Sequence, residues 1–272
     1  MSAASINTGR ERRSLRRVLP RVRSPQRGHE RDLDVYLPPS YSQSRRRYPV
    51  VYMQDGQNLA DPERAFAGTW ELEQAIGTLA SRGLEAIFVG IPNLGDARVN
   101  EYTPFVDAKI GGGDGDAYLA FMERTIKPLV DRRFRTRPER EATGVFGSSL
   151  GGLISLYAFF RAPETFGFAG AMSPSLWFAA RAMLTYIARD GNPPGRLYVD
   201  AGTEEGASTV RDARELASIL EDKGFSDDRL RFVVDEGGRH EEAHWARRLV
   251  PALEFLLRAV PAEKMRRRRA LG

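Results

Sequence analysis

At 272 residues, with 42 % hydrophobic and 28 % charged residues, the chain has the length and balance of one α/β domain with a full core, and no apolar run approaches the ~18 residues of a membrane-spanning helix. The absence of cysteine excludes disulfides, thiolate nucleophiles and Cys-ligated metal centres, so covalent chemistry must use oxygen or nitrogen. The net charge of +5 is concentrated at the two ends, where clustered arginines attract phosphate but are usually solvated, so nucleic acid is not the expected partner.

Residues 1–30 form a basic lead: nine arginines fall within the first 31 residues, and no apolar stretch of a secretory signal is present, which makes a cytoplasmic location the expectation. The lead is read as partly flexible, the domain proper as residues 31–260, and residues 261–272, with Arg266 to Arg269, as a basic tail. Leu33, Val35 and Leu37 alternate along a strand over 31–37, closed by Pro38-Pro39-Ser40. A short apolar strand follows at 49–53, then a helix over 70–81 with Leu72, Ala75, Ile76 and Leu79 on one face and Gly83 as its stop. Residues 86–91 are a near-continuous apolar strand, as in a sheet covered on both faces. A glycine loop at 111–115 precedes a helix over 116–133. Strands at 142–146, 167–172, 196–201 and 230–234 then alternate with helices at 150–160, 176–189, 209–223 and 241–260. Such alternation predicts a largely parallel sheet with helices on both faces.

Gly147-Ser148-Ser149-Leu150-Gly151 matches G-x-S-x-G, a pattern expected by chance on the order of 0.15 times in a chain of this composition. Its setting adds the weight: it lies between an apolar strand and a helix, where a sharp turn lifts Ser149 out at the strand's carboxyl end. A serine hydroxyl needs a base to take its proton, and the tetrahedral intermediate needs two donors aimed at its oxyanion. The N–H of Leu150 is the natural first donor, and the loop Gln54-Asp55-Gly56-Gln57 is placed to supply the second.

Only His29, His240 and His244 are available as bases. A Ser–acid–His chain order selects His240, late in the chain after a strand, in Gly237-Gly238-Arg239-His240. The carboxylate that orients it is sought after the strand at 196–201; Glu205 is favoured, with Glu204, Asp200 and Asp235 as alternatives. His240-Glu241-Glu242-Ala243-His244 also matches the zinc-binding H-E-x-x-H pattern. Against that reading, no other downstream histidine can serve as third ligand, Pro251 is expected to interrupt the helix, and the serine turn would go unexplained. His244 is then a surface or packing residue.

With these residues in place the chain resembles the putative-esterase family of α/β-hydrolases, which includes enterochelin-esterase-like enzymes, feruloyl esterases, S-formylglutathione hydrolases and mycolyltransferases. The landmarks run from about residue 31 to 255: Val35-Tyr36-Leu37-Pro38-Pro39, Val51-Tyr52-Met53-Gln54-Asp55-Gly56-Gln57-Asn58, Asn100-Glu101-Tyr102-Thr103-Pro104, the serine motif with Gly152, Ser173-Pro174-Ser175-Leu176-Trp177, and His240 with Trp245. The resemblance implies an α/β-hydrolase fold, Ser149 as nucleophile, His240 as base, an acid at Glu205, and the N–H of Gln57 as second oxyanion donor. Gln54 departs from the His or Leu that many members carry, and some siderophore esterases work with little help from an acid.

The expected activity is hydrolysis of a small carboxylic ester, siderophore-type or other, through an acyl-enzyme on Ser149, without metal or organic cofactor. Asp55, Trp70, Tyr102, Trp177 and Phe178 are candidate substrate contacts, although aromatics at such positions also suit a core. The partner is a small-molecule ester, no membrane is involved, and a homo-oligomer is compatible with the sequence. Acyl transfer to an alcohol uses the same residues, and a catalytically silent binding protein on the same fold is the reading from another class.

Overall fold

Residues 50–53 read Val-Val-Tyr-Met, and a strand's period of two sends successive side chains to opposite faces. Val50 and Tyr52 enter one buried cluster while Val51 and Met53 enter another. The same division holds along the neighbouring strands, so the core is two apolar layers separated by one sheet. The computed structural model describes residues 15–260 apart from 66, 190 and 259; the tail assigned from sequence to 261–272 lies outside the described residues.

The sheet has eight strands, β1 (Leu15–Arg23), β2 (Glu30–Leu37), β3 (Val50–Gln54), β4 (Ile87–Ile91), β7 (Thr143–Ser148), β8 (Phe168–Met172), β9 (Arg196–Gly202) and β10 (Leu230–Asp235), in the order β1-β2-β4-β3-β7-β8-β9-β10. β1 is antiparallel to β2 and β2 to β4; from β4 to β10 all pairings are parallel. A separate hairpin joins β5 (Val106–Asp107) to β6 (Gly111–Gly112). Helices α1 (Leu72–Ser81) and α8 (Glu242–Arg258) cover one face. The other is covered by α3 (Gly115–Phe121), α4 (Lys127–Arg133), α5 (Leu150–Arg161), α6 (Phe178–Arg189) and α7 (Ala207–Asp222). The short α2 (Arg98–Tyr102) follows β4. This is the α/β-hydrolase architecture. Among the described residues no helix is long and apolar enough to cross a membrane.

Register in the centre is set by rings laid over glycines. Gly144 pairs with Phe168 and Gly170 with Phe146 across β7 and β8, and a Cβ at either glycine would stand 2.0 or 2.2 Å from the facing ring. A one-residue slip would drive each ring into a side chain.

Four features differ from the sequence reading. Part of the basic lead, Leu15–Arg23, is strand β1, an edge strand whose Arg16 Nε donates to the buried Asp34 Oδ1 at 2.9 Å; its side chains are mostly exposed, so no apolar alternation marks it in the sequence and pairing with β2 makes it a strand. α8 runs through Pro251 rather than breaking there. The proline is exposed and costs one backbone hydrogen bond, while burial of Trp245, Leu249, Ala252, Leu253, Leu256 and Leu257 holds the helix on both sides of it. The helix expected over 116–133 is continuous but passes through a π turn at Met122–Ile126, just before Pro128 withdraws a donor. Finally, α6 starts at Phe178 with Ala179, Ala180 and Arg181 left-handed (φ 49°, 52° and 67°).

Because the central strands are parallel, β3, β7, β8, β9 and β10 deliver their carboxyl-terminal loops to one edge, the usual place for a site in such a sheet.

Candidate active site

β7 ends at Ser148 and α5 begins at Leu150, so the chain must reverse direction within one residue. Ser149 does this at φ 56°, ψ −124°, a conformation of order 1–3 kcal/mol above ordinary backbone that persists because its surroundings fix it. Its N–H donates to the Met172 carbonyl at 2.9 Å, and its carbonyl accepts from Leu153 and Ser175, each at 3.0 Å. The turn is tight enough that a Cβ at Gly147 would meet the Gly151 carbonyl at 2.5 Å. The Ser149 hydroxyl lies 3.2 Å from Ser175 Oγ. Leu150, as first helical residue, has an N–H without an intrahelical acceptor.

The turn after β3 is held on every side. Asp55 is left-handed (φ 52°, ψ 48°); its N–H donates to Tyr102 Oη at 2.9 Å. Arg98 grips its carboxylate with Nε and Nη2, both at 2.8 Å, and Asn93 Nδ2 adds a bond of 2.6 Å. Burial works against the Arg98 charge, but the bidentate Asp55 outweighs it and holds its pKa above the ordinary arginine value. Gln57 Oε1 accepts the Asn93 N–H at 3.1 Å, and Asn58 Nδ2 donates to Glu242 Oε1 at 3.1 Å. Gln57 lies in the single 3₁₀ turn Gly56–Asn58, whose opening N–H groups again lack intrahelical acceptors.

Of the four carboxylates considered for the acid, Glu205 is the one on His240: Oε2 lies 3.1 Å from Nδ1. Its side chain is 0 % exposed while that of His240 is 44 % exposed, so the pair is buried at the acid and open at the base. Oε1 accepts from Ser173 Oγ at 2.6 Å and from the Gly202 N–H at 2.9 Å, with Arg248 Nη2 at 3.4 Å. Burial pushes the Glu205 pKa up, but the His240 and Ser173 bonds prevail and hold it below the usual carboxylate value. The remaining three are engaged elsewhere. Glu204 pairs with Arg239 at 2.7 Å, and Asp235 faces Arg247 and Arg248. Asp200 accepts the Ser173 N–H at 3.0 Å and the Tyr198 hydroxyl at 3.1 Å and lies 3.2 Å from Arg248 Nη1. Burial outweighs these partners and pushes the Asp200 pKa up to about 7.

Around the acid sits a buried frame. Trp245 Nε1 donates to Ser173 Oγ at 3.0 Å, and its ring meets that of His240 edge to face, centroids 4.9 Å apart. Ser149 and His240 open into the same cavity of about 810 Å³, walled also by Asp55, Gln57, Asn58, Arg64, Asn93, Arg98, Glu242 and Trp245. No hydrogen bond joins Ser149 to His240 in this structure; the serine's side-chain bond is to Ser175.

The substrate-contact candidates separate. Trp70, Tyr102 and Phe178, at 1 %, 0 % and 2 % exposure, are core rather than cavity wall. Trp70 packs on Phe146 and Trp245, Tyr102 packs on Tyr118 and holds the Asp55 amide, and Phe178 lies against Trp177. Asp55 borders the cavity with its carboxylate already occupied. Trp177 is 52 % exposed, two residues beyond Ser175. His244 Nδ1 accepts the Arg239 backbone N–H at 3.2 Å and lies 2.8 Å from Arg247 Nη2, so its ring is turned to an amide and a guanidinium, and His240's to Glu205. Arg98, Ser173, Ser175, Arg248, Asn58 and Glu242 are the site residues to which sequence reasoning gave no role. For Arg248 a signal existed, a charge three residues after Trp245 within the apolar stripe of α8.

The sequence model of the family described as Putative esterase matches residues 24–256. A protein of Bacillus subtilis called Uncharacterized protein YbbA is 28 % identical over 246 residues, covering 86 % of this chain and 95 % of its own. The siderophore triacetylfusarinine C esterase of Aspergillus fumigatus is 33 % identical over 143 residues, 50 % of this chain and 47 % of its own. Among solved structures, the BES protein from Bacillus cereus superimposes with a TM-score of 0.70 at 22 % identity, over 94 % of this chain and 98 % of that one.

Proposed function

Since the chain belongs to the Putative esterase family, and is thereby a carboxylic ester hydrolase, we propose that it cleaves small esters through an acyl-enzyme on Ser149, with His240 as general base and Glu205 as the acid that orients it. The observation that carries this reading is the 3.1 Å contact between His240 Nδ1 and a fully buried Glu205 carboxylate, beside a strained serine turn opening into the same cavity.

Glu205 accepts a hydrogen bond from Nδ1–H, which keeps the proton on Nδ1 and leaves Nε2 as the basic nitrogen. The Ser149 proton passes to Nε2 as Oγ bonds to the ester carbon. The oxyanion so formed takes the N–H groups of Leu150 and Gln57, and the ionised Glu205 offsets the imidazolium charge. Collapse breaks the bond to the alcohol oxygen, which leaves with the Nε2 proton. Water then gives its proton to Nε2 while its oxygen attacks the acyl carbon; collapse releases the acid and returns the proton to Ser149. The first step requires the Ser149 hydroxyl to leave Ser175 for His240, a tightening common on substrate binding. Arg64 on the cavity wall, its side chain 36 % exposed with one nitrogen on Asp34, keeps further guanidinium donors for an ester rich in hydrogen-bonding groups, in keeping with the siderophore ester in the name of the Aspergillus relative.

The test is intact-mass analysis after fluorophosphonate treatment, with peptide mapping and a parallel assay on p-nitrophenyl acetate. One adduct on Ser149, and loss of nearly all turnover in a folded Ser149→Ala variant, are expected. An adduct elsewhere, or substantial turnover in Ser149→Ala, refutes the assignment.

A further inference from the structure

The oxyanion turn and the histidine lie far apart in sequence, and their relative position decides whether base and donor address the same carbonyl. The Gly56–Asn58 turn is fixed to the β4 side of the site by several independent ties. A Cβ at Gly56 would stand 2.6 Å from the Gly90 and Ile91 backbone, Gln57 is bonded to Asn93, and Asp55 is gripped by Arg98 and Asn93. None of these reaches the loop that carries His240. Glu242 does: it is the first residue of α8, two after His240, and its Oε1 takes the Asn58 amide at 3.1 Å. Both residues are 8 % exposed, and both border the cavity that holds Ser149 and His240. Asn58 is itself rigid, since its N–H donates to Asp55 and its carbonyl accepts from Trp70, each at 2.9 Å.

We propose that Glu242 is a positioning residue for the reaction: by accepting the Asn58 amide it fixes the Gln57 N–H relative to the His240 loop, so that oxyanion donor and general base meet one substrate carbonyl. This rests on the function proposed above. A displaced donor costs transition-state stabilisation while leaving ground-state binding largely intact, because the donor addresses the oxyanion and not the resting carbonyl. Complete loss of such a donor costs about 10²–10³ in kcat, and a loosened one is expected to cost about tenfold.

The experiment compares Glu242→Ala, Asn58→Ala, the double variant and Glu242→Gln, each verified as folded by its melting curve. The readouts are kcat and KM on p-nitrophenyl acetate and the affinity for an aryl trifluoromethyl ketone, whose serine adduct carries an oxyanion. Expected are about a tenfold fall in kcat with little change in KM for each single alanine, no further fall in the double variant, and a parallel loss of ketone affinity. Glu242→Gln, which keeps the acceptor oxygen, should recover most of the loss. Folded alanine variants with wild-type kcat and ketone affinity, additive losses, or a Gln variant as impaired as Ala would overturn the inference. If Glu242→Ala does not fold, Asn58→Ala decides from the other end of the bond. Wild-type protein that forms no adduct at Ser149 overturns instead the parent reading, and this inference with it.

Discussion

Glu205→Gln replaces one oxygen of a buried carboxylate by an amide, and the surrounding donors dictate which one. Ser173 Oγ and the Gly202 N–H converge on Oε1 at 2.6 and 2.9 Å, with Arg248 Nη2 at 3.4 Å. The glutamine oxygen must therefore occupy that position, and its NH₂ must face His240 Nδ1. An N–H directed at Nδ1 forces the ring to accept there and to carry its proton on Nε2, where it cannot take a proton from Ser149. The tautomer is wrong and the imidazolium loses its counter-charge, which together are expected to lower kcat about 10⁴-fold, roughly 5 kcal/mol of barrier. Fold and substrate affinity should be little changed, since the amide keeps the Ser173 and Gly202 bonds and Arg248 keeps Asp200. The assay is kcat on p-nitrophenyl acetate at pH 8 beside the melting curve, with Asp200→Asn, Glu204→Gln and Asp235→Asn measured in parallel. A Glu205→Gln variant within tenfold of wild type, or an Asp200→Asn variant that loses more, would refute the argument.

Two further outcomes follow from charges near the site. The Asp200 pKa is raised from 3.8 to about 7, so between those values the native state holds a proton that the unfolded chain has released. Stability attributable to Asp200 is therefore present at low pH and lost as pH rises through about 7, by up to about 4 kcal/mol. Urea unfolding at pH 5 and pH 8 should show wild type losing stability relative to Asp200→Asn across this window; equal changes in the two proteins would contradict the assignment. Glu205, with its pKa lowered, acts in the opposite sense, its contribution disappearing only as pH falls below the usual glutamate range, so it does not confuse the comparison. Asp55→Asn breaks the bidentate grip of Arg98 and is expected to cost about 3 kcal/mol of stability and to lower kcat through the proposed oxyanion turn. KM for a neutral ester should hardly move, whereas a raised KM at unchanged stability would make Asp55 a substrate ligand after all.

The inner parallel strands were legible because burial on both faces writes them as apolar runs, and β3, β4, β7, β8 and β9 lie within a residue or two of their expected places, as does the half-buried edge strand β10. β1 was not legible. Its side chains are mostly exposed, so its strand character comes from pairing with β2 and from Asp34 receiving Arg16. Pro251 misled for a related reason, since a local helix-breaking tendency of about 3 kcal/mol yields to the burial of an apolar stripe extending on both sides. Ser149 and His240 stood out as motif and scarce residue. Glu205 was the favoured one of four carboxylates, but spacing left the other three open, because the choice depends on how the turn Thr203–Glu205 beyond β9 faces the loop beyond β10, a relation between segments more than thirty residues apart.

The least legible part of the site is also what gives it its charge pattern. Arg247 and Arg248 are adjacent and chemically identical, yet the side chain of the first is 60 % exposed and that of the second 6 %. Helical phase explains the difference, since Arg248 lies three residues after Trp245 and four before Ala252, within the stripe that packs on the sheet. A guanidinium there is tolerable only if carboxylates meet it, and Asp200, Glu205 and Asp235 do. For the two whose side chains are fully buried, Asp200 and Glu205, the further partners of each decide where the charge rests. Glu205 has His240 and the Ser173 hydroxyl in addition and stays ionised; Asp200, the more deeply buried, has its pKa driven up to about 7, in part by the Glu205 charge. Burial of Asp200, set against the His240, Ser173 and Gly202 bonds of Glu205, thus leaves the negative charge on the carboxylate that touches the histidine, which is where the base proposed in His240 would need it on becoming an imidazolium.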